Sequence, residues 1–187
     1  MCAHLHGDLW KHAKVAGSLG VSGKTTAHYL AILEHAYMLR RLQPLAANTG
    51  KRLVKSPRVY LRDSGLLHRL LRIDDVDALS GHPIRGTSWE GYVIEQVSSA
   101  MPDAKLSFYR TSAGAEVDLV VDHAGQRTAV EIKASSSPHV ERGFWLALED
   151  VQPNDAWVAA QVKEPLPARD GVTIAPVHAI CDALTSA

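Results

Sequence analysis

At 187 residues, with 46% hydrophobic and 21% charged residues and no formal net charge, the chain has the composition of an ordinary globular protein, long enough for one substantial core or two small domains. No apolar run approaches the about 18 residues needed to cross a bilayer, and Met1-Cys2-Ala3-His4-Leu5-His6 lacks the basic-then-apolar form of a signal peptide. A cytoplasmic protein without membrane contact is expected, and its two cysteines, Cys2 and Cys181, make neither a disulfide framework nor a paired-thiol metal motif.

The zero net charge hides an asymmetry. Residues 1–62 hold ten Lys or Arg against two acids, so the remainder is acidic to the same degree. Between Glu34 and Asp63 there is no acid, while Arg40, Arg41, Lys51, Arg52, Lys55, Arg58 and Arg62 are basic, a distribution suited to contacting phosphates.

In chain order, the first motif is Ser18-Leu19-Gly20-Val21-Ser22-Gly23-Lys24-Thr25-Thr26. It is not a phosphate-binding loop, because Ser18 stands where the first glycine is needed and no strand precedes it. Ala13, Ala16 and Leu19 instead space a short helical turn that Gly20 breaks. Val21 is placed to plug the core, and Ser22 to cap a second, amphipathic helix with Thr26, Leu30, Leu33 and Tyr37 on one stripe. Helix, glycine turn, helix is the helix-turn-helix pattern, and Lys24, Thr25 and His28 become the candidates for facing a DNA groove. Met38–Leu42 and Arg58–Leu61 then read as two strands joined by a basic loop, the form of a wing.

Past a linker at Gly81–Gly86, Ser88–Val97 reads as a helix carrying Glu90. Strands follow at Leu106–Arg110, Ala115–Val121 and Thr128–Ala134, the last two joined through a hairpin. A two-residue loop at Ala124-Gly125 sets the register: Asp118 opposes Glu131 and Glu116 opposes Lys133. All four then point to one face, with Val117, Leu119, Val130 and Ile132 on the other. Opposed carboxylates repel unless something is shared between them, and a Mg²⁺ (or Mn²⁺) ion, with oxygen ligands from Asp118, Glu131 and Glu90, supplies the reason. Lys133 would steady charge building on a phosphate, and Arg110 could bind one. The same residues would also suit a salt-bridged, non-catalytic surface. A helix at Pro138–Leu148 and strands at Ala156–Ala160 and Val172–Val177 complete an α/β layer architecture, with Trp145 and Trp157 expected as core aromatics.

The order Glu90, Asp118 and Glu131-Ile132-Lys133 resembles the PD-(D/E)xK nuclease superfamily. More specifically, the stretches Gly50–Leu66 and Gly86–Glu95, with Arg110, Gly114, Glu116, Asp118, Glu131 and Lys133, resemble DUF4143, the C-terminal region of bacterial AAA-type ATPases. The resemblance implies a winged helix-turn-helix domain over 1–80 and a restriction-endonuclease-like α/β domain over 81–187, with a mixed sheet flanked by helices. It implies a DNA partner, a catalytic set of Asp118, Glu131, Lys133 and Glu90, and an AAA ATPase module as a second partner. The alternative it leaves is a non-catalytic DNA- or protein-interaction module. No Walker element is present, so ATP hydrolysis is not carried over, and the chain is expected to be a stand-alone remnant or the C-terminal piece of a longer protein.

Overall fold

A computed structural model describes residues 1–46 and 51–186. The chain forms two compact units, one of 1–43 with 56–91 and one of 44–55 with 92–187. A short basic segment inside the N-terminal half, residues 44–55, groups with the second unit. The fold as a whole is mixed α and β, as expected.

The first unit opens with a 3-10 turn (Cys2–Leu5), followed by α1 (His12–Leu19) and α2 (Gly23–His35). Gly20 ends α1 in the left-handed region at φ 66°, where a side chain would be strained. Ser22 caps α2 by accepting a hydrogen bond from the Thr25 amide at 3.0 Å. Strands β1 (Leu39–Pro44) and β2 (Arg58–Leu61) pair antiparallel, Leu39 opposite Leu61, and the backbone at Gly7–Trp10 hydrogen-bonds along β2. Two short helices follow, α3 (Ser64–Leu70) and α4 (Val76–Ser80), capped by Asp63 and Asp75. They occupy a stretch for which the sequence reading offered no element. Trp10, Val15, Leu30, Val59 and Leu67 are among the side chains of its core.

Two expectations fail in this unit. Val21 is 40% exposed and does not plug the core. Tyr37 is 76% exposed, because the helix stops at His35 and Tyr37 itself turns to φ 57°, ending the stripe it was expected to extend.

His6 is the most consequential polar group of this core. Its Nδ1 accepts from the Leu61 amide at 3.0 Å, so its Nε2 carries the proton and donates to the Thr87 carbonyl at 3.0 Å. Burial pushes the imidazole down to about 4, only partly opposed by the Thr87 bond. Because this folded value lies below the unfolded 6.5, the neutral ring contributes stability that is complete above pH 6.5 and is lost as pH falls toward 4. Denaturant titrations of wild type and His6→Gln between pH 7 and pH 4 should therefore converge on acidification. Parallel curves would contradict this.

Helix α5 (Arg85–Ala100) begins three residues earlier than the reading placed it, and its Val93, Ile94 and Val97 are fully buried. The second unit contains β3 (Lys105–Arg110), β4 (Glu116–His123), β5 (Gln126–Ile132), α6 (Arg142–Val151), β6 (Asp155–Ala159), β7 (Leu166–Pro167), β8 (Thr173–Ala175) and α7 (Val177–Ser186). Its strands run in the order β3-β4-β5-β6-β8-β7. The pairs β3–β4, β4–β5 and β7–β8 are antiparallel, whereas β5–β6 and β6–β8 are parallel, so α6 serves as the crossover that a parallel β5–β6 pair needs. Val117, Val120, Ala129 and Val158 pack with Phe144, Ala147 and Val151 of α6. Trp145 and Trp157 are half-buried, not core, and the Arg169 guanidinium sits 4.0 Å over the Trp145 ring.

The basic segment expected to form a wing loop lies, in its described part, along β3. The Val54 amide donates to the Arg110 carbonyl at 3.0 Å and the Ser112 amide to that of Arg52 at 2.9 Å. Lys51 donates to both oxygens of Asp150 (2.7 and 2.8 Å), which also accepts from the Tyr109 hydroxyl at 2.9 Å. Residues 47–50 of that expected loop lie outside the described residues.

A close backbone approach fixes the start of α6. A Cβ on Gly143 would stand 2.5 Å from the Gly114 carbonyl oxygen. Gly143→Ala should destabilise the protein by about 1–3 kcal/mol, whereas Gly17→Ala, in open space on α1, should stabilise it by about 0.5–1 kcal/mol. Equal effects in denaturant unfolding would show that the contact does not matter.

Candidate functional site

The β4–β5 hairpin turns at Ala124 and Gly125, both with positive φ (49° and 79°), the primed turn that suits two twisted strands. His123 opposes Gln126 and Leu119 opposes Val130, which is the register expected from the sequence and brings Asp118 to the level of Glu131. Between β3 and β4, however, the pairing slips. Ser107 opposes Val120, but Tyr109 opposes Val117, so two residues of β4, Asp118 and Leu119, share one position of β3. This is a β-bulge, which breaks strict alternation and re-aims a side chain. Val117 accordingly packs with Val120 and Ala129, not on the Leu119 and Val130 face where alternation would place it.

The bulged Asp118 is 7% exposed and its Oδ2 accepts from the Ile132 amide at 3.0 Å. Glu131 is 6% exposed and its Oε1 lies 2.9 Å from Lys133 Nζ. Burial, and then the negative charge of Asp118, push the Glu131 carboxyl up to about 8; Lys133 only partly offsets them, and Glu116 adds to the rise. Half-burial works against the Lys133 charge, but Glu131, Asp118 and Glu141 together outweigh it and hold the ammonium above lysine's ordinary value. Asp118, Glu131 and Lys133 therefore form one electrostatic cluster.

Glu116 and Arg110 frame this cluster differently from expectation. Glu116 pairs with Arg110 at 3.3 Å instead of with Lys133, as their opposition across β3 and β4 dictates. Glu141, the residue before α6, is a member that the sequence reading missed. It is an isolated acid in extended backbone at the N-cap of α6, and only the tertiary fold brings its charge to bear on Lys133.

Glu90 belongs to the other unit. It accepts from the Tyr60 hydroxyl at 3.0 Å and lies 3.7 Å from Arg58 Nη1. Among the residues expected on DNA, Lys24, His28, Lys51, Arg52 and Lys55 are exposed, and Thr25 and Arg40 are half-buried. Thr25 shares a hydroxyl hydrogen bond with Ser22 at 2.8 Å, Arg41 pairs with Glu34, and Lys51 is engaged by Asp150. Arg58 is only 6% exposed and is turned toward Glu90, so its guanidinium is an interior group.

Among the described residues, no three His, Cys, Asp or Glu side chains converge to enclose a metal ion. The pair Asp118 and Glu131 nevertheless fits the way Mg²⁺ is held, through one or two carboxylates with waters and substrate oxygens completing the shell. A desolvated carboxyl kept near pH 8 by its neighbour's charge is the form that a divalent cation would relieve.

Residues 1–77 match a domain of unknown function, DUF8612, and residues 85–180 match a second, DUF4143. Two mycobacterial proteins are each 41% identical over 180 residues, the uncharacterized protein Mb2031c of Mycobacterium bovis and the uncharacterized protein Rv2008c of Mycobacterium tuberculosis. The alignments take in 96% of this chain but 41% of each relative, so the chain spans about two-fifths of the length of the curated relatives it matches. No solved structure matches it. The DUF4143 match covers just over half of the 187 residues and contains every member of the cluster built around Asp118, Glu131 and Lys133, and the chain belongs to the DUF4143 family.

Proposed function

We propose that the second unit is a metal-dependent phosphodiesterase acting on DNA, with Asp118 and Glu131 holding a Mg²⁺ or Mn²⁺ ion and Lys133 acting on the phosphate. The observation that carries this reading is the buried Asp118–Glu131 pair with an ammonium 2.9 Å from one of its oxygens. The cation would supply Lewis-acid polarisation of the phosphodiester and lower the pKa of an attacking water. Asp118 is held in place by the Ile132 amide, which donates to its Oδ2. Lys133, drawn in by Glu131, places a positive charge where negative charge builds on the phosphate. Arg52 and Lys55, on the segment beside β3, and Arg110 supply charge for a polyanion near the same sheet. Lys24, Thr25, His28, Arg40 and Arg41 would contact the duplex from the first unit.

The test is cleavage of labelled duplex and single-stranded DNA by wild type and Asp118→Asn, with Mg²⁺ or Mn²⁺ and with EDTA. Divalent-dependent cleavage by wild type, lost in Asp118→Asn, supports the reading. Equal cleavage by both, or none by the wild type, defeats it and leaves a module that binds without catalysis. Binding itself should weaken steeply with added salt.

A further inference from the structure

We propose that a cavity at the hairpin end of the second unit's sheet binds a small organic cation, an ammonium carried on a short apolar body. The cavity has a volume of about 300 Å³, at the lower end of the range that small ligands occupy. Its wall follows from the strand register. Val121, Thr128 and Asp155 oppose one another across β4, β5 and β6, and His123 opposes Gln126 at even spacing nearer the turn, so all five share one face of the sheet. Met101, just after α5, and Leu184 of α7 complete the cavity. Ala129 and Val158 alternate with these residues and pack on α6 at the opposite face, which Glu131 shares with Ala129. The inference is therefore independent of the catalytic reading.

The lining selects the ligand. Val121 and Thr128 are buried, whereas Asp155, His123 and Gln126 are exposed. The Thr128 side chain is 7% exposed and makes no hydrogen bond among the described residues. A buried hydroxyl left without a partner costs stability unless something in the cavity supplies one. The Asp155 carboxylate likewise has no ion pair or hydrogen bond among the described residues. Its charge is unopposed there: neither Lys nor Arg lines the cavity, and α7 brings Asp182. Arg127, between Gln126 and Thr128, lies on the other face and is paired with Asp122 at 2.7 Å. An anion would thus meet a carboxylate with His123 alone to oppose it. Asp155 and Thr128 are neighbours across β6 and β5, so one ammonium can donate to both, while Met101, Val121 and Leu184 take its apolar body. A bare divalent ion is not served, since among the described residues no three ligating side chains converge.

The test uses the full chain and three probes of similar shape: benzylamine, benzyl alcohol and benzoate. Each is titrated while the methyl resonances of Met101 and Leu184 are followed by NMR. Benzylamine is expected to shift both saturably, with an affinity about tenfold above that of benzyl alcohol, and benzoate to leave them unmoved. Asp155→Asn should weaken benzylamine about tenfold, and Thr128→Val should weaken it by a smaller factor. Asp155 is exposed, so its substitution leaves the fold intact and decides the matter even if Thr128→Val does not fold. Equal affinity for benzylamine and benzyl alcohol, no response to any probe, or benzylamine binding unaltered in Asp155→Asn would overturn the proposal. So would a stronger response to benzoate, which assigns the cavity to an anion held by His123.

Discussion

Lys133→Met is expected to lower divalent-dependent DNA cleavage by ~10²-fold or more while leaving the fold intact. Methionine keeps most of the apolar stem that half-buries Lys133 but removes the ammonium beside Glu131. The charge matters more in the transition state than in the bound substrate, because negative charge increases on the phosphate as the bond breaks. Single-turnover rates should therefore fall with little change in DNA affinity, and Lys133→Arg should restore part of the rate. If Lys133→Met cleaves as fast as wild type, the lysine serves only to neutralise Glu131, and the catalytic assignment fails at that residue.

Glu131→Gln is expected to stabilise the unliganded protein at alkaline pH while abolishing cleavage. The Glu131 carboxyl ionises near pH 8 in the folded chain against 4.5 when unfolded. A raised carboxyl contributes stability that is complete below pH 4.5 and is lost as pH rises through about 8, so the wild type weakens over that window. Glutamine is neutral throughout and escapes the loss, for a gain of up to about 5 kcal/mol at pH 9. Thermal unfolding of both proteins at pH 5 and pH 9 reads this out. The variant should be close to wild type at the lower pH and more stable at the higher. A gain that is the same at both values would assign it to something other than ionisation. Stability surrendered at a buried carboxylate pair is characteristic of a site kept for chemistry.

The parts of this site that were legible in the sequence are those set by local rules. Ala124-Gly125 between two apolar runs fixed the hairpin, and period-two arithmetic from that turn brought Asp118 level with Glu131. Gly20 and Ser22 likewise marked the turn and cap between α1 and α2. What escaped depends on partners distant in the chain. The bulge at Asp118 and Leu119 comes from pairing with β3, whose residues carry no sign of a missing position. The same slip explains why Val117 changed sides and why Glu116 found Arg110. Glu141 reaches Lys133 only because α6 folds back over the sheet. The segment Lys51–Lys55 looked like a solvated wing because it is basic, yet its backbone hydrogen bonds go to β3 and its first lysine to Asp150. Helix α7, strand β7 and the two short helices after β2 went unread, being brief or weakly patterned.

Titration of Mn²⁺ into the protein, by calorimetry in buffers of different ionisation enthalpy, bears most directly on whether Asp118 and Glu131 share a cation. One site per chain is predicted, with up to one proton released per ion at pH 7, tighter binding at pH 9, and no binding to Asp118→Asn or Glu131→Gln. Mn²⁺ uptake that is unchanged in both variants, or no uptake by the wild type at millimolar ion, would contradict it.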